Sequence, residues 1–190
     1  MRSKTWGMVL ATVMALGTSA CGYNNIQTLD EQVNKGKAQI ETQLQRRADL
    51  IPNLVQTVKG VAAQESTVFI SIAESRAKLS GAVKSGNIGA MSQANQAVTS
   101  DLGRLLVIAE AYPQLKSDQS FRDLQAQLEG TENRIAVART DYNGVVGEFN
   151  AYIRKFPTNL TAKIFSMDKP REYFEADASA KELPKVDFSK

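Results

Sequence analysis

The chain has 190 residues, of which 43% are hydrophobic and 23% are charged, a composition that suits one globular domain with one small core. It holds 23 basic residues, two of them (Arg2 and Lys4) in the first twenty, which leaves 21 basic against 20 acidic residues in the remainder. This near-neutral balance argues against a nucleic-acid partner. The chain contains no histidine, which excludes histidine-based acid–base catalysis, conventional zinc sites and di-iron bundles, so we expect no metal and no cofactor.

Residues 1–20 have the features of a secretory signal peptide. They begin with Arg2 and Lys4, continue with an apolar stretch from Trp6 to Leu16, and end in small residues. The apolar stretch is shorter than the roughly 20 residues that a membrane-spanning helix needs. We expect this segment, residues 1–20, to be removed.

Cys21 is the only cysteine and directly follows these small residues. The junction resembles the bacterial lipobox, whose cysteine receives a diacylglycerol, although Thr18 stands where leucine is usual. We expect lipid attachment at Cys21 and anchoring to a membrane. The alternative is an ordinary signal peptide followed by an incidental free cysteine. Because Gly22 rather than aspartate comes next, lipoprotein sorting favours the periplasmic face of the outer membrane, with the inner membrane as the alternative.

The first helical pattern runs from about Ile26 to Leu79, with apolar residues seven apart in two interlocked series, as helices packed in a bundle require. Pro52 predicts a kink or a restart of this helix near Asp49. Two charged residues, Arg47 and Glu65, occupy positions where the pattern calls for apolar side chains. Each therefore needs a partner from another helix or a position at the edge of the seam. The candidates are Glu110, Glu129 and Glu132 for Arg47, and Arg104, Arg134 and Arg139 for Glu65.

The Gly- and Ser-rich stretch Leu79 to Gly89 predicts a loop between antiparallel helices. A second helix is predicted from about Asn87 to Tyr112, where Pro113 ends it. A third is predicted from about Ser120 to Lys155. Its apolar positions recur every seven residues and predict a core stripe made of Phe121, Leu128, Ile135, Tyr142, Phe149 and Phe156.

A short helix is predicted after Pro157, capped by Thr158 or Asn159. We assign residues 21–167 to the helical domain and residues 168–190 to a tail that is ordered near Tyr173 and loose beyond it. The predicted fold is therefore all-α: an antiparallel bundle of three to four long helices, the first kinked at Pro52, with a short C-terminal helix and a loose tail.

Four blocks of sequence, in this order, resemble the LemA family. They are RRADLIPNLVQTVKG (Arg46 to Gly60), EAYPQLK (Glu110 to Lys116), FRDLQAQLEGTENRIAVARTDYN (Phe121 to Asn143) and FN…FPTNLTAKIF (Phe149 to Phe165). The resemblance spans roughly Tyr23 to Glu175. It implies an antiparallel helical bundle in a membrane-anchored envelope protein, and it implies no particular biochemical activity.

The first block supplies the candidate site, a cluster made of Arg46, Arg47, Asp49, Pro52 and Asn53. One hypothesis is structural: an arginine bound to a carboxylate fixes helix register near the proline. The other is a recognition surface for a partner protein or a peptide terminus. Under the first, replacing Arg47 with alanine lowers the melting temperature; under the second, it leaves folding unchanged and abolishes partner capture.

The other chemical groups give weaker hypotheses. Glu129 and Glu132 lie three residues apart and suit acid–base chemistry or Ca²⁺ binding, but a solvated or salt-bridged helix face explains them better. The glycines fit neither spacing of a phosphate-binding loop. The aromatic residues at helical spacing near Tyr142 and Tyr152 are interpreted as core rather than as a cofactor pocket.

The sequence therefore favours a non-enzymatic, lipid-anchored envelope protein that acts as a helical scaffold or adaptor for another membrane or periplasmic protein. Two alternatives remain. The chain is a carboxylate-based ligand-binding protein or enzyme, or it is a self-associating protein that organises the membrane as a homo-oligomer.

Overall fold

A computed structural model describes the backbone of residues 2–175 and the side chains of residues 22–175. This part of the chain forms helices and no strands, so the all-α prediction is confirmed. The side chain of Cys21 and residues 176–190, which include most of the predicted tail, lie outside the described residues.

Six helices follow one another along the described residues. They are α1 (Arg2–Lys59), α2 (Ser66–Ser85), α3 (Ile88–Ala111), α4 (Pro113–Ser117), α5 (Gln119–Tyr152) and α6 (Thr158–Ile164). The described residues fall into two compact units. The first joins residues 2–39 to Ala138–Glu172, and the second joins Ile40–Val137 to residues 173–175.

The core of the first unit forms where α1 and α5 approach each other closely. At Gly36 of α1, an added methyl group would lie 3.4 Å from the Cα and Cδ2 atoms of Tyr142 on α5. A glycine at this position therefore lets the two helices lie as close as van der Waals contact with the tyrosine allows. Among the large buried side chains of this unit, Ile26, Val33, Tyr142 and Phe149 follow the predicted spacing, and Val146 and Ile153 are buried in addition.

Asn150 of α5 holds the segment that follows α6. Its buried amide donates from Nδ2 to the carbonyl oxygen of Arg171 (2.9 Å) and accepts from the Arg171 N–H at Oδ1 (2.7 Å). The hydroxyl of Tyr142 donates to the next carbonyl, that of Glu172, at 2.9 Å. Burial raises the pKa of Tyr142, an effect opposed by the charge of Arg171 and strengthened by that of Glu172. The first residues of the predicted tail are therefore fixed.

The second unit contains an antiparallel helix pair, α2 and α3, joined by two residues. Gly86 takes the left-handed conformation (φ 65°) that ends α2, and Asn87 Oδ1 accepts from the N–H of Ala90 (2.7 Å) to cap α3. The predicted loop from Leu79 to Gly89 is wrong, because α2 continues to Ser85. Leu79 and Ala82 are both buried, three residues apart, so the apolar face persists through this Gly- and Ser-rich sequence.

Pro52 does not restart the first helix, which continues through it to Lys59. A proline has no N–H to donate to the carbonyl four residues earlier, here that of Ala48. That carbonyl accepts instead from the Nε of Arg76 on α2, at 2.8 Å. Arg76 thus replaces the missing helical bond with one from a neighbouring helix, and the helix persists.

The interruption in the predicted pattern comes later, at residues 60–65, so no continuous helix reaches Leu79. Gly60 follows the last residue of α1, and the N–H groups of Val61 and Ala62 both donate to the carbonyl of Val58 in a turn. Glycine favours this helix end because it costs more backbone entropy inside a helix than at its terminus.

The other boundaries differ by smaller amounts. The connection after α3 contains the short helix α4, and Asp118 Oδ1 accepts from the N–H of Phe121 (2.8 Å) at the start of α5. The N-cap position of α6 is Pro157, which makes no side-chain cap, so the predicted caps at Thr158 and Asn159 are wrong.

Phe156 is also wrongly predicted as a core residue, since 81% of its surface is exposed. Helix α5 ends at Tyr152 rather than near Lys155, and the seven-residue spacing applies only while the helix lasts. The next buried hydrophobic residue after Phe149 is Ile153, four positions on.

Replacing Arg76 with alanine leaves the Ala48 carbonyl buried without a donor. We expect a loss of about 1–3 kcal/mol in the free energy of unfolding, measured by urea denaturation. In the double variant Pro52→Ala/Arg76→Ala, the new N–H at residue 52 donates to the Ala48 carbonyl. Most of the lost free energy of unfolding should therefore be recovered. Lys78→Ala, an exposed change on the same helix, is the control. Strict additivity of the Pro52 and Arg76 effects would contradict this account.

Candidate functional site

The five residues of the predicted cluster all lie on α1 but do not share a face. Arg47 is buried, with 4% of its surface exposed, whereas Arg46, Asp49 and Asn53 are exposed and Pro52 is half-buried. Helical geometry explains the division, because neighbouring residues point about 100° apart around the axis. The predicted cluster is therefore one buried cation with four flanking residues, and not a single patch.

Arg47 connects three helices of the second unit. Its Nη1 donates to Asn95 Oδ1 of α3 at 2.6 Å and forms an ion pair with Glu132 Oε2 of α5. Asp49 takes no part, since its Oδ1 accepts from Gln45 Nε2 one turn earlier (2.8 Å). The arginine–carboxylate contact thus forms with one of the three acids proposed from the sequence, Glu132.

The electrostatics of Arg47 reflect its burial. Removal from water lowers the pKa of its guanidinium, and the negative charge of Glu132 partly offsets this effect. The Nε atom is buried and makes no hydrogen bond. The charge of Arg47 is thus held inside the protein and matched by one partner, which is typical of a structural ion pair.

Asn95 and Arg76 form hydrogen bonds with Arg47 and Ala48 of α1, and neither was predicted from the sequence. Asn95 lies four residues after Met91 and three before Val98, so it occupies the apolar face of α3, where an amide requires a partner. That signal was readable. Arg76 gave no comparable signal, because its role depends on which helix lies beside Pro52.

A separate polar contact, away from Arg47, joins α2 to α3. Ser71 Oγ donates to Asp101 Oδ1 at 2.8 Å, and Arg104 Nη1 lies 3.7 Å from the same oxygen. Arg104 was a candidate partner for Glu65. Glu65 lies instead in the interruption between α1 and α2, at the N-cap position of α2, so it occupies no seam of a continuous helix.

A cleft of about 170 Å³ lies beside Arg47, between α1, α3 and α5. Four leucines supply most of its wall: Leu54, Leu102, Leu106 and Leu128. Its polar lining comprises Arg47, Thr99, Gln125, Glu129 and Glu132, and Gly103 completes it. The cleft therefore offers both apolar surface and polar groups.

The two carboxylates of this cleft are already engaged. Glu132 binds Arg47, and Glu129 Oε1 accepts from Gln125 Nε2 at 3.0 Å. In the part of the chain that the structure describes, no three acidic or cysteine side chains come together in a way that would hold a metal ion. The arrangement can bind an apolar group, whereas its acids serve contacts within the protein.

The family model of the LemA family matches residues 36–188. This chain belongs to the LemA family. The match covers most of the sequence and confirms the resemblance seen in the four sequence blocks, one of which contains Arg47 and Pro52.

The chain is also similar to magnetosome proteins. "Magnetosome protein MamQ 2" and "Magnetosome protein MamQ 1" of Paramagnetospirillum magneticum are each 30% identical to it over 190 residues, covering 88% of this chain and 70% of the relative. "Magnetosome protein MamQ" of Magnetospirillum gryphiswaldense is 29% identical over 189 residues, with coverage of 87% and 69%. Across the described residues, no helix has both the length and the apolar character to cross a membrane.

Arg47→Ala removes the guanidinium and leaves Asn95 and Glu132 without their shared donor. Because 45% of the Glu132 side chain remains exposed, water compensates part of the loss, and we expect about 2–3 kcal/mol of destabilisation. Urea denaturation measures this value. The adjacent exposed change Arg46→Ala is the matched control and should alter stability by less than about 0.5 kcal/mol. Equal effects at both positions would mean that burial of Arg47 does not matter for folding.

Proposed function

We propose that this LemA-family chain is a non-enzymatic, membrane-associated protein of the cell envelope that docks a partner protein. Family membership and the similarity to magnetosome proteins support the membrane association. The cleft beside Arg47 supports the docking role and is the observation that carries the proposal.

The anchor in this proposal is Cys21. A signal-like segment precedes it, and no other cysteine competes for modification. Acyl chains contribute about 0.8 kcal/mol for each buried methylene, so two or three chains hold a protein at a bilayer without a membrane-spanning helix. Gly22 favours the periplasmic face of the outer membrane, with the inner membrane as the alternative.

The size of the cleft favours a protein side chain over a small-molecule substrate. Pockets for cofactors and metabolites commonly enclose about 300–1,000 Å³, and this cleft has about 170 Å³. Its leucine walls match one apolar anchor residue on a partner helix. Gln125 and Glu129 of the lining offer hydrogen-bonding groups to the partner's polar flank, the usual composition of a docking site.

The engagement of both carboxylates argues against the alternative of a carboxylate-based enzyme. A general acid or base needs a group free to exchange a proton with its substrate. Glu132 is committed to Arg47, and Glu129 accepts from Gln125. Self-association through the cleft is the remaining alternative. Photo-crosslinking from the cleft distinguishes it, because a crosslinked dimer has twice the mass of the chain.

Lipid attachment predicts that Cys21→Ser abolishes labelling of the protein by an alkyne analogue of palmitate in cells. The variant should also leave the membrane fraction when membranes are washed with alkaline carbonate. Ser3→Ala, a change in the signal-like segment that leaves the cysteine intact, is the control. Equal labelling of the wild type and Cys21→Ser would remove the lipid anchor from the proposal.

Docking at the cleft predicts one discrete adduct when a photo-crosslinking amino acid replaces Leu106, which lines the cleft and is 36% exposed. Adding Gly103→Leu should reduce this adduct about tenfold, because the new leucine fills the cleft and excludes the partner's apolar anchor residue. A tenfold loss corresponds to roughly 1.4 kcal/mol of binding free energy contributed by that residue. A side chain at Gly103 meets open space, so folding should be unchanged.

The matched control for filling the cleft is Gly144→Leu, another helical glycine where added atoms meet open space but which lies outside the cleft. This variant should keep the adduct at the wild-type level. An adduct unaffected by Gly103→Leu would contradict docking at the cleft. An adduct at twice the mass of the chain, lost with Gly103→Leu, would favour self-association.

A further inference from the structure

An exposed apolar surface surrounds α6 in the first unit. Ten large hydrophobic side chains are exposed among the described residues, and four of them fall within ten residues of sequence. These four, which we call the α6 patch, are Phe156 (81% exposed), Leu160 (53%), Ile164 (76%) and Phe165 (51%). Single exposed apolar residues are ordinary on protein surfaces, whereas a cluster of this kind marks an interaction surface.

The orientation of α6 is fixed by its opposite face. Thr158, Thr161 and Ala162 are buried, and they alternate with the exposed residues at helical spacing. Beyond the helix, the N–H of Met167 donates to the carbonyl of Ala162 at 2.7 Å, which closes the turn that follows. The α6 patch is therefore presented outward by a helix that is held against the unit.

The α6 patch lies next to the start of the described side chains. A methyl group on Gly22 would lie 3.8 Å from Thr161 Oγ1 and 3.9 Å from Thr158 Oγ1. The ring of Tyr23 contacts the ring of Phe165, with centroids 4.5 Å apart and planes tilted by 49°. Because Cys21 directly precedes Gly22, the α6 patch lies within a few residues' reach of the proposed lipid attachment.

The charged residues within the segment that carries the α6 patch have one sign. Residues 153–167 contain Arg154, Lys155 and Lys163 and no acidic residue. All three basic side chains are exposed. Aromatic and aliphatic residues interspersed with lysine and arginine are the composition that binds the interface of an anionic bilayer, where apolar groups enter the headgroup region and cations meet lipid phosphates.

We infer that the α6 patch contacts an anionic phospholipid bilayer directly and forms a second membrane contact beside the acylated Cys21. This inference rests on the proposed lipid anchor. A tether at residue 21 keeps the α6 patch at a high effective concentration next to the headgroups, so a small apolar surface is sufficient. Phe156, Leu160, Ile164 and Phe165 enter the boundary between headgroups and acyl chains, and the contact fixes how the first unit faces the membrane.

The test places a single tryptophan in the full chain. Trp6 is the only tryptophan and lies in the segment expected to be removed, and Trp6→Phe keeps the background silent in any protein that retains that segment. Ile164→Trp puts the probe in the α6 patch, and Ile70→Trp puts it at a matched exposed isoleucine (59%) on α2 of the second unit. Each acylated protein is reconstituted into phosphatidylcholine–phosphatidylglycerol vesicles whose acyl chains carry bromine, which quenches tryptophan on contact.

We expect bromine to reduce the emission of Trp at residue 164 about twofold, because an interfacial residue lies within roughly 5–10 Å of the headgroup–acyl boundary. The emission of the control at residue 70 should not change. Quenching at residue 164 should weaken when phosphatidylglycerol is omitted, because the three basic side chains lose their anionic partners. Circular dichroism of both variants checks that the helices are intact.

Equal emission of the two variants on vesicles, with both proteins floating with the lipid, would overturn the inference and leave the lipid anchor standing. Mass spectrometry of the same samples reads acylation at Cys21 separately. If Cys21 carries no lipid, quenching at residue 164 would still support the bilayer contact, and its absence would overturn it. Emission insensitive to bromine but dependent on protein concentration would overturn it in favour of a contact between two copies of the chain.

Discussion

Pro52 leaves the carbonyl oxygen of Ala48 without its helical donor. The neighbouring residue, Arg47, places a positive charge inside the second unit. Both demands are met from other helices. Arg76 of α2 donates to the Ala48 carbonyl, while Arg47 itself reaches Asn95 of α3 and Glu132 of α5. Two consecutive residues of α1 therefore bind three other helices through directional polar contacts. Apolar packing alone tolerates shifts in register, whereas buried polar groups lose much of their hydrogen-bond energy when displaced. We call these contacts of Arg47 and Ala48 with Arg76, Asn95 and Glu132 the polar centre. The polar centre thus fixes α1 relative to its neighbours in the second unit.

The sequence predicted the helical class and most of the core, because seven-residue spacing identifies the side chains that face inward. Residues such as Leu44, Leu105 and Ile135 are buried as that spacing requires. The interruption after Lys59 was missed because apolar periodicity continues across it into α2. Phe156 was misplaced for the related reason that spacing persists in sequence after the helix has ended. Of the candidate site, the sequence indicated that Arg47 occupies a position in the apolar pattern and named three acids that could bind it, but it did not choose Glu132 among them. The bond from Arg76 had no readable basis, since it depends on tertiary position.

The polar centre also shapes the surface proposed for partner docking. Arg47 and Leu54 line the cleft from α1, and Glu132 lines it from α5, so the ion pair between Arg47 and Glu132 is also part of the cleft lining. The alternatives of a structural and a functional Arg47 are therefore not exclusive: the side chain stabilises the wall on which a partner would bind. In the first unit, the membrane contact that we propose involves a different set of side chains, the exposed residues around α6 beside Gly22. The proposed anchoring and the proposed docking therefore depend on separate residues, so each can be tested by mutation without the other.

The most direct test of this account is a double-mutant cycle between Arg47 and Glu132, with Arg47→Met and Glu132→Leu examined singly and together by urea denaturation. Glu132→Leu leaves the buried guanidinium of Arg47 without its ion pair, and Arg47→Met leaves the half-exposed carboxylate of Glu132 without it, whereas the double change leaves an apolar contact. The account predicts that the double variant loses less free energy of unfolding than the two single variants lose when their losses are added. The difference, which is the coupling energy, should be about 1–3 kcal/mol. Additivity within about 0.5 kcal/mol would show that the two residues do not depend on each other, and would contradict a polar centre at Arg47.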